Sequence, residues 1–112
     1  IALDPFPYCG TTTTVDALAM GVPVVTLVGE RWIQRTSFGL LKGMGMESTC
    51  AHTVKEYVDI ATGMAQDVTS IRKSKLGRRD AFFRSAMCDT KRFTLNLEAA
   101  YRKMWKAHCE ND

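Results

Sequence analysis

The chain has 112 residues, of which 46% are hydrophobic and 24% charged. These fractions are those of an ordinary globular protein, and about 100 to 150 residues is the commonest size of a single domain. A formal net charge of +3 does not by itself indicate a nucleic-acid partner, and the chain contains no run of about 20 apolar residues that would cross a membrane.

The first part of the chain predicts two strands joined by a helix. Residues 1–4 and 24–28 are short apolar runs, and the second is rich in β-branched residues, as buried parallel strands are. Between them, residues 12–20 predict a helix that ends at Gly21. A strand, a helix and a second strand in this order imply a right-handed crossover and therefore a parallel sheet.

Helical segments dominate the rest of the chain. We predict helices over residues 33–42, from a Thr53 cap to about residue 66, from a Thr69 cap to about residue 86, and over residues 90–108. Residues 47–50 predict a weak strand. Because no repeat or low-complexity linker interrupts this pattern, the sequence predicts an α/β fold with one domain over residues 1–112.

The last predicted helix carries a stripe of large apolar side chains. Phe93, Leu97, Tyr101, Met104 and Trp105 recur at helical spacings, which places them on one face. Stripes of this kind usually pack into a hydrophobic core, so we predict core packing for this one.

The loop after the first strand and the start of the first helix hold most of the polar chemistry. Gly10 allows the backbone to approach a ligand closely, and the threonine run after it supplies hydroxyl groups. The free amides and the dipole of a helix N-terminus stabilise an anion. A carboxylate near the first turn can accept hydrogen bonds from ribose hydroxyls. We predict a phosphate site at Gly10, Thr11, Thr12 and Thr13, with Asp16 at the ribose.

A purely structural interpretation of the same residues is equally open from the spacing alone. Thr13 and Asp16 stand three residues apart, as in a capping box with Asp in place of Glu. Threonine clusters also begin many helices. Under this interpretation the threonine run caps the helix and binds no ligand.

Three blocks of the sequence form a distinctive signature. The first is residues 2–8 with Gly-Thr-Thr-Thr-Thr-x-Asp at 10–16, the second is Met-Gly-Val-Pro-Val-Val-Thr at 20–26 with Gly29, and the third is the ending Leu-Glu-x-x-Tyr-x-x-Met-Trp at 97–105. Arg35, Glu56-Tyr57, Asp67 and the run Leu76, Arg78, Arg79 also fit. Together they resemble the SPINDLY and O-GlcNAc transferase family of protein O-glycosyltransferases. The run of four threonines is closer to the SPINDLY branch and its bacterial relatives, since animal O-GlcNAc transferase has histidine at the position of Thr11.

The resemblance implies a GT-B fold, in which two Rossmann-like halves face each other across a cleft, usually after tetratricopeptide repeats. Residues 1–112 would then be a single partial domain, the C-terminal half that binds the nucleotide sugar, with a Rossmann-like parallel sheet, flanking helices and a long last helix. In such enzymes the last helix commonly crosses back to the first half, so the resemblance implies that part of its apolar stripe is exposed in this chain. The base and most acceptor contacts would lie upstream, so we assign no catalytic residue to this chain.

The resemblance also implies transfer of a sugar from a nucleotide-diphosphate donor, UDP-GlcNAc or GDP-fucose, to Ser or Thr of a protein acceptor. Thr11, Thr12 and Thr13 would face the donor diphosphate, and Asp16 the ribose. Helix amides and hydroxyls can stabilise a departing diphosphate without a metal ion, and the chain has no Asp-x-Asp motif. We therefore expect no metal cofactor, and we expect this part of the enzyme to be inactive alone.

Two other functions stay open from the sequence. A different GT-B relative, such as a nucleotide-sugar epimerase, would share the phosphate-binding helix but lack the Tyr-x-x-Met-Trp ending. A non-catalytic α/β interaction module would use the threonine run only as a cap.

The remaining polar residues have ordinary explanations. The basic run at residues 72–79 has no interleaved aromatic residues, so it predicts a solvated helix face and not a nucleic-acid surface. The cysteines form no Cys-x-x-Cys pair and the histidines lack metal-ligand spacing, which predicts reduced thiols in a cytoplasmic protein and no metal site. These residues are Cys9, Cys50, Cys88, Cys109, His52 and His108.

Overall fold

A parallel sheet of three short strands lies at the centre of the molecule. The computed structural model describes residues 1–110, so the last two residues of the predicted domain lie outside it. The strands are β1 (Ala2–Leu3), β2 (Val24–Leu27) and β3 (Cys50–Ala51). They pair in that order and run parallel, with Ala2 opposite Val24 and Thr26 opposite Cys50. The predicted parallel sheet is confirmed.

Helices surround this sheet. Within residues 1–110 they are α1 (Thr12–Ala19), α2 (Thr36–Gly43), α3 (Val54–Gln66), α4 (Val68–Lys73), α5 (Lys75–Arg84) and α6 (Thr90–Glu110). Two 3-10 turns, Trp32–Gln34 and Glu47–Thr49, connect them to the strands. No helix within residues 1–110 is both long enough and apolar enough to pass through a bilayer.

Two local signals in the sequence act as predicted. Gly21 ends α1 with a φ of 70°, and the Val22 amide returns to the Ala17 carbonyl at 2.8 Å. Thr53 caps α3 in a reciprocal box, in which its hydroxyl accepts from the Glu56 amide at 3.1 Å and the Glu56 carboxylate accepts from the Thr53 amide at 3.3 Å. The C-terminus of α1 and the N-terminus of α3 are therefore each determined by residues only a few positions apart.

Two predicted segments near the sheet are corrected. A 3-10 turn replaces the weak strand at residues 47–50, because both the amide and the hydroxyl of Thr49 donate to the Met46 carbonyl, at 3.3 and 3.1 Å. Only Cys50 of that segment belongs to β3. The helix predicted over residues 33–42 begins at Thr36, since Arg35 has a non-helical φ of −128° and its side chain donates to the Gly29 carbonyl at 3.0 Å.

The helix predicted from Thr69 to residue 86 is two helices, α4 and α5. Its cap is Asp67 and not Thr69, because the Asp67 carboxylate accepts from the Ser70 amide at 2.9 Å. The chain breaks at Ser74, whose hydroxyl donates to the Ser70 carbonyl at 2.7 Å. Arg78 then reaches back across the break to the Ile71 carbonyl at 2.6 Å.

Part of the basic run has a packing role that the sequence interpretation missed. Arg78 donates to the Gly21 carbonyl at 3.0 Å, and Arg79 donates to the Ala19 carbonyl at 2.7 Å. Both carbonyls lie at the C-terminal end of α1, where a cation is stabilised by the helix dipole. Burial lowers the pKa of Arg78 below its usual value, yet arginine stays charged at any physiological pH. The predicted solvated face is therefore wrong for these two arginines.

We expect Arg78→Ala to lower the free energy of unfolding by about 2 to 3 kcal/mol, because charged hydrogen bonds to two carbonyls are lost. Arg84→Ala is the matched control: Arg84 is exposed at the end of α5, and we expect a change of about 0.5 kcal/mol or less. Denaturant unfolding of the unsubstituted protein and of the two variants measures both changes in the free energy of unfolding. Equal effects of the two substitutions would contradict the role of Arg78.

Both faces of the sheet are covered. On one face Val24 packs with Leu18 of α1, Leu41 of α2 and Phe82 of α5. On the other face Val25 packs with Ala51 and with Tyr57 of α3. Neighbouring residues of β2 point to opposite faces, and each face meets its own helices. This two-sided, Rossmann-like arrangement confirms the predicted fold class.

The long last helix is present, but the predicted core packing of its stripe is wrong. Within the described chain no residue of α6 is buried. Its stripe, defined as Phe93, Leu97, Tyr101, Met104 and Trp105, is 39% to 67% exposed. The two faces of the sheet are already covered by α1, α2, α3 and α5, so α6 does not pack on the sheet.

Candidate functional site

The loop from β1 to α1 lies at the carboxyl end of the parallel strands, where α/β sheets usually bind their ligands. A cavity of about 370 Å³ opens at this loop. Four of the five residues predicted as the binding site line the cavity. The lining residues are Pro5, Tyr8, Cys9, Gly10, Thr11, Thr12 and Thr13.

The threonine run does not cap α1. Thr11 is the residue before the first helical position, and in the described chain its side chain makes no capping hydrogen bond. Thr13 and Asp16 both lie inside the helix, which begins at Thr12, so they do not form the capping box of the alternative interpretation. The amides of the first turn have no intrahelical acceptor. Thr11, Thr12 and Thr13 are exposed beside these amides.

The fourth threonine of the run has a different environment. Thr14 is buried, and its hydroxyl lies 2.9 Å from the hydroxyl of Ser37 on α2. Successive helical residues turn by about 100°, which points Thr14 toward α2 while Thr12 and Thr13 stay at the cavity. The run therefore supplies hydroxyl groups at the cavity from Thr11, Thr12 and Thr13.

Asp16 lies one helical turn beyond the cavity. It is exposed on α1, and in the described part of the chain it is outside the cavity lining. Residues three and four apart share a helix face, so Asp16 lies on the same face as Thr12 and Thr13. Its contact with a ribose stays a prediction.

Gly10 is held at both ends of its backbone. Its amide donates to Asp4 Oδ1 at 2.8 Å, and its carbonyl accepts from the Ser37 hydroxyl at 2.8 Å. A Cβ at this position would lie 2.6 Å from Thr13 Oγ1 and 2.7 Å from Thr14 Oγ1. Glycine is therefore required here by the close approach of the chain to its own helix.

We expect Gly10→Ala to destabilise the protein by about 1 to 3 kcal/mol, because the methyl group overlaps two hydroxyl oxygens in a packed turn. Gly39→Ala is the matched control, since a Cβ at Gly39 of α2 meets no atom within 4 Å. Alanine there is expected to stabilise the helix by about 0.5 to 1 kcal/mol. Thermal unfolding measures both variants, and a neutral Gly10→Ala would contradict the packing argument.

Cys9 is a buried structural thiol, as predicted. It donates through Sγ to the Ile33 carbonyl at 2.9 Å and lies 2.8 Å from the Thr36 hydroxyl. Its amide also donates to the Ile33 carbonyl, at 3.1 Å. These contacts tie the loop to the turn before α2, and the four cysteines are free thiols.

Sequence reasoning missed the groups beneath the loop. Asp4 accepts from the Thr26 hydroxyl at 2.6 Å, and its carbonyl accepts from the Tyr57 hydroxyl at 2.9 Å. Burial, with a smaller contribution from nearby Asp4, raises the pKa of Tyr57, so the phenol stays protonated at neutral pH. The signal in the sequence that could have identified Asp4 is its position: a carboxylate directly after an apolar strand, at the edge of the sheet where ligands bind.

A second cavity of about 430 Å³ lies on the other side of the loop. Phe6 and Pro7 line it, while Tyr8 lines the first cavity. Its other walls come from the ends of β2 and β3 and include His52. None of the predicted site residues lines it. Within residues 1–110, no three His, Cys, Asp or Glu side chains are grouped to hold a metal ion.

Comparisons with known proteins show which family this chain resembles. The sequence model of glycosyl transferase family 41 matches residues 1–97. Proteins named as probable UDP-N-acetylglucosamine–peptide N-acetylglucosaminyltransferase SPINDLY from Solanum lycopersicum and from Oryza sativa subsp. japonica are 43% and 41% identical to the chain over 112 residues. These alignments cover 100% of this chain and 12% of each relative, so the chain spans about an eighth of their length.

A solved structure of a mutant O-GlcNAc transferase from Thermobaculum terrenum has the same fold. It is 40% identical to the chain and superimposes with a TM-score of 0.90. The superposition covers 99% of this chain and 21% of that protein.

Proposed function

Since the chain belongs to glycosyl transferase family 41, we propose that it is the part of a protein O-glycosyltransferase that binds the diphosphate of a nucleotide-sugar donor. One observation carries this proposal. The uncapped N-terminus of α1 and the hydroxyls of Thr11, Thr12 and Thr13 lie together at one cavity. Asp16, one turn further along the same face, completes the proposed site at the ribose.

The proposed chemistry is the stabilisation of a leaving group. When the sugar passes to a Ser or Thr hydroxyl of the protein acceptor, negative charge develops on the departing diphosphate. Hydroxyl and amide donors that are already oriented toward that charge lower the barrier. The dipole of α1 adds partial positive charge at the same place. We propose that this site works without a metal ion.

The donor is a nucleotide sugar, and UDP-GlcNAc and GDP-fucose are the two to test. Thr11 is neutral, so the site recognises the diphosphate through hydrogen bonds and the helix dipole and not through a charged side chain at that position. The relatives are named for UDP-N-acetylglucosamine, which favours UDP-GlcNAc as the first donor to examine.

The proposal also concerns the rest of the enzyme. We propose that this chain is a single partial domain, the C-terminal half of a GT-B catalytic region in a cytoplasmic protein with upstream tetratricopeptide repeats. The 12% coverage of the relatives supports a much longer parent protein. The family match favours a transferase over an epimerase, and the uncapped α1 argues against a module in which the threonines only cap a helix.

Calorimetric titration of the full-length protein with UDP and with GDP tests the proposed function. We expect saturable binding of one nucleotide, transfer of the corresponding sugar to an acceptor peptide, and no loss of transfer when a chelator is added. If neither nucleotide binds, the proposal is refuted. Loss of transfer on chelation, with binding intact, would refute only the metal-free mechanism.

We further propose that the exposed stripe of α6 packs against the N-terminal half of the catalytic region. An apolar stripe that is 39% to 67% exposed is unusual on a folded surface and indicates a contact site. The chain covers 12% of its relatives, which supports a parent protein with a further half that the stripe can contact. A helix that joins the two halves would hold the donor site in place against the acceptor site.

A further inference from the structure

A buried acid beneath the proposed diphosphate site has no part in the proposed stabilisation of the leaving group. Asp4 follows β1 and is 4% exposed. Within residues 1–110 no ion pair includes it. Burial of an unpaired carboxylate is costly unless hydrogen bonds compensate, so its hydrogen-bond partners show what this side chain does.

The carboxylate of Asp4 connects the loop to the sheet. Its Oδ1 accepts from the Gly10 amide at 2.8 Å, and its Oδ2 accepts from the Thr26 hydroxyl on β2 at 2.6 Å. The backbone of Asp4 is fixed as well, because its amide donates to the Val25 carbonyl at 2.9 Å and its carbonyl accepts from the Tyr57 hydroxyl at 2.9 Å. Asp4 is thus anchored to β2 through its side chain and backbone and to α3 through its carbonyl, and it holds Gly10 from there.

The other end of Gly10 is held from the opposite side. Its carbonyl accepts from the Ser37 hydroxyl at 2.8 Å, and that hydroxyl lies 2.9 Å from Thr14 Oγ1. Ser37 and Thr14 are both buried. Because α1 begins two residues after Gly10, the orientation of the Gly10 backbone sets the direction in which the first helical turn enters the cavity.

We propose that Asp4 is a positioning residue for the diphosphate site: it holds the Gly10 backbone so that the amides and hydroxyls of Thr12 and Thr13 face the donor. This inference rests on the proposed function. The Gly10 amide is already bonded to Asp4, so it is not one of the donors to the diphosphate. The role of Asp4 depends on an acceptor oxygen at this place and not on its charge.

Because the acceptor oxygen matters and the charge does not, asparagine is a conservative replacement for Asp4. In Asp4→Asn the amide oxygen still accepts from the Gly10 amide, and the amide nitrogen donates to the Thr26 hydroxyl, which can accept as well as donate. In Asp4→Ala both bonds are lost and the loop is released. Asp59→Ala is the matched control, because it removes an exposed carboxylate of α3 whose bond is to Lys55 and not to the loop.

The test uses the full-length protein, with calorimetric titration of UDP and GDP, kcat and donor KM for sugar transfer, and thermal unfolding of each variant. We expect Asp4→Ala to weaken nucleotide affinity and to lower kcat by about 10- to 100-fold, since misplacement by about 1 Å has effects of that size. We expect Asp4→Asn and Asp59→Ala to stay within about threefold of the unsubstituted protein in nucleotide affinity and in kcat, whatever stability they lose.

Two results would overturn the inference: a folded Asp4→Ala that binds nucleotide as the parent does, or an Asp4→Asn as impaired as Asp4→Ala. If Asp4→Ala does not fold, Ser37→Ala provides the second measurement, because it releases the Gly10 carbonyl without touching Asp4. We expect about tenfold weaker binding from Ser37→Ala, and unchanged binding would overturn the inference. If the unsubstituted full-length protein binds neither UDP nor GDP, the proposed function is refuted and this inference with it.

Discussion

Replacing Thr12 and Thr13 together by valine is expected to lower kcat for sugar transfer by about 10²- to 10³-fold, the range found when one donor to a developing oxyanion is removed. Both side chains line the cavity at the N-terminus of α1. Valine has the shape of threonine and a similar helix propensity, so the substitution removes the hydroxyl donors and preserves the helix. Donor KM is expected to change less than kcat, because the leaving diphosphate gains charge only in the transition state.

A matched control for this experiment lies on α3. The Thr62 hydroxyl is exposed and donates to the Val58 carbonyl at 2.8 Å. Thr62→Val therefore makes the same chemical change far from the cavity, and we expect kcat within about twofold of the parent, as for ordinary surface substitutions. Steady-state kinetics with an acceptor peptide measure both variants. A Thr12, Thr13 double variant with parental kcat would remove these hydroxyls from the proposed mechanism.

The second large effect is expected at α6. Trp105→Ser combined with Tyr101→Ser should lower the free energy of unfolding of the full-length protein by about 3 to 5 kcal/mol, the usual cost of truncating a buried aromatic side chain. In this chain the two residues are 67% and 60% exposed, so the loss arises only if another part of the protein covers them. Denaturant unfolding of the full-length protein measures the change.

The opposite face of α6 offers the control. Lys103 and Lys106 are exposed and point away from the stripe, since successive residues are separated by about 100° around the helix axis. Lys103→Ser with Lys106→Ser should change the free energy of unfolding by about 0.5 kcal/mol or less. If the aromatic and lysine variants behave alike, the stripe is solvent-exposed in the full-length protein and the proposed contact with the N-terminal half is wrong.

The threonines and α6 are proposed to serve the same site in different ways, one by direct contact with the donor and the other by holding the two halves of the enzyme together. Thr12 and Thr13 are proposed to touch the diphosphate, and α6 is proposed to hold this half of the enzyme against the other half. Asp4 touches neither the diphosphate nor the other half in these proposals. It positions the loop of the site by connecting it to β2 and α3. Kinetic, binding and unfolding measurements on the same full-length protein therefore separate loss of chemistry from loss of structure.

The local features of this chain follow from its sequence alone. The cap formed by Thr53 and Glu56 and the end of α1 at Gly21 depend on residues a few positions apart, where propensity and hydrogen-bond geometry decide the outcome. The parallel pairing of β1 with β2 follows from the order strand, helix, strand along the chain. The glycine and threonine signature predicts a phosphate site at a loop that lines a cavity, because such a site at a helix N-terminus needs only neighbouring residues. Phosphate binding at this loop stays a prediction.

Contacts between distant residues were decided only by the tertiary structure. Thr14 turns away from the cavity to meet Ser37, 23 residues later, and Tyr57 bonds to the carbonyl of Asp4 across 53 residues. Periodicity places a side chain on a helix face but does not say which surface that face meets. For this reason the sequence predicted the stripe of α6 correctly and its burial wrongly, since the sheet had already been covered by other helices.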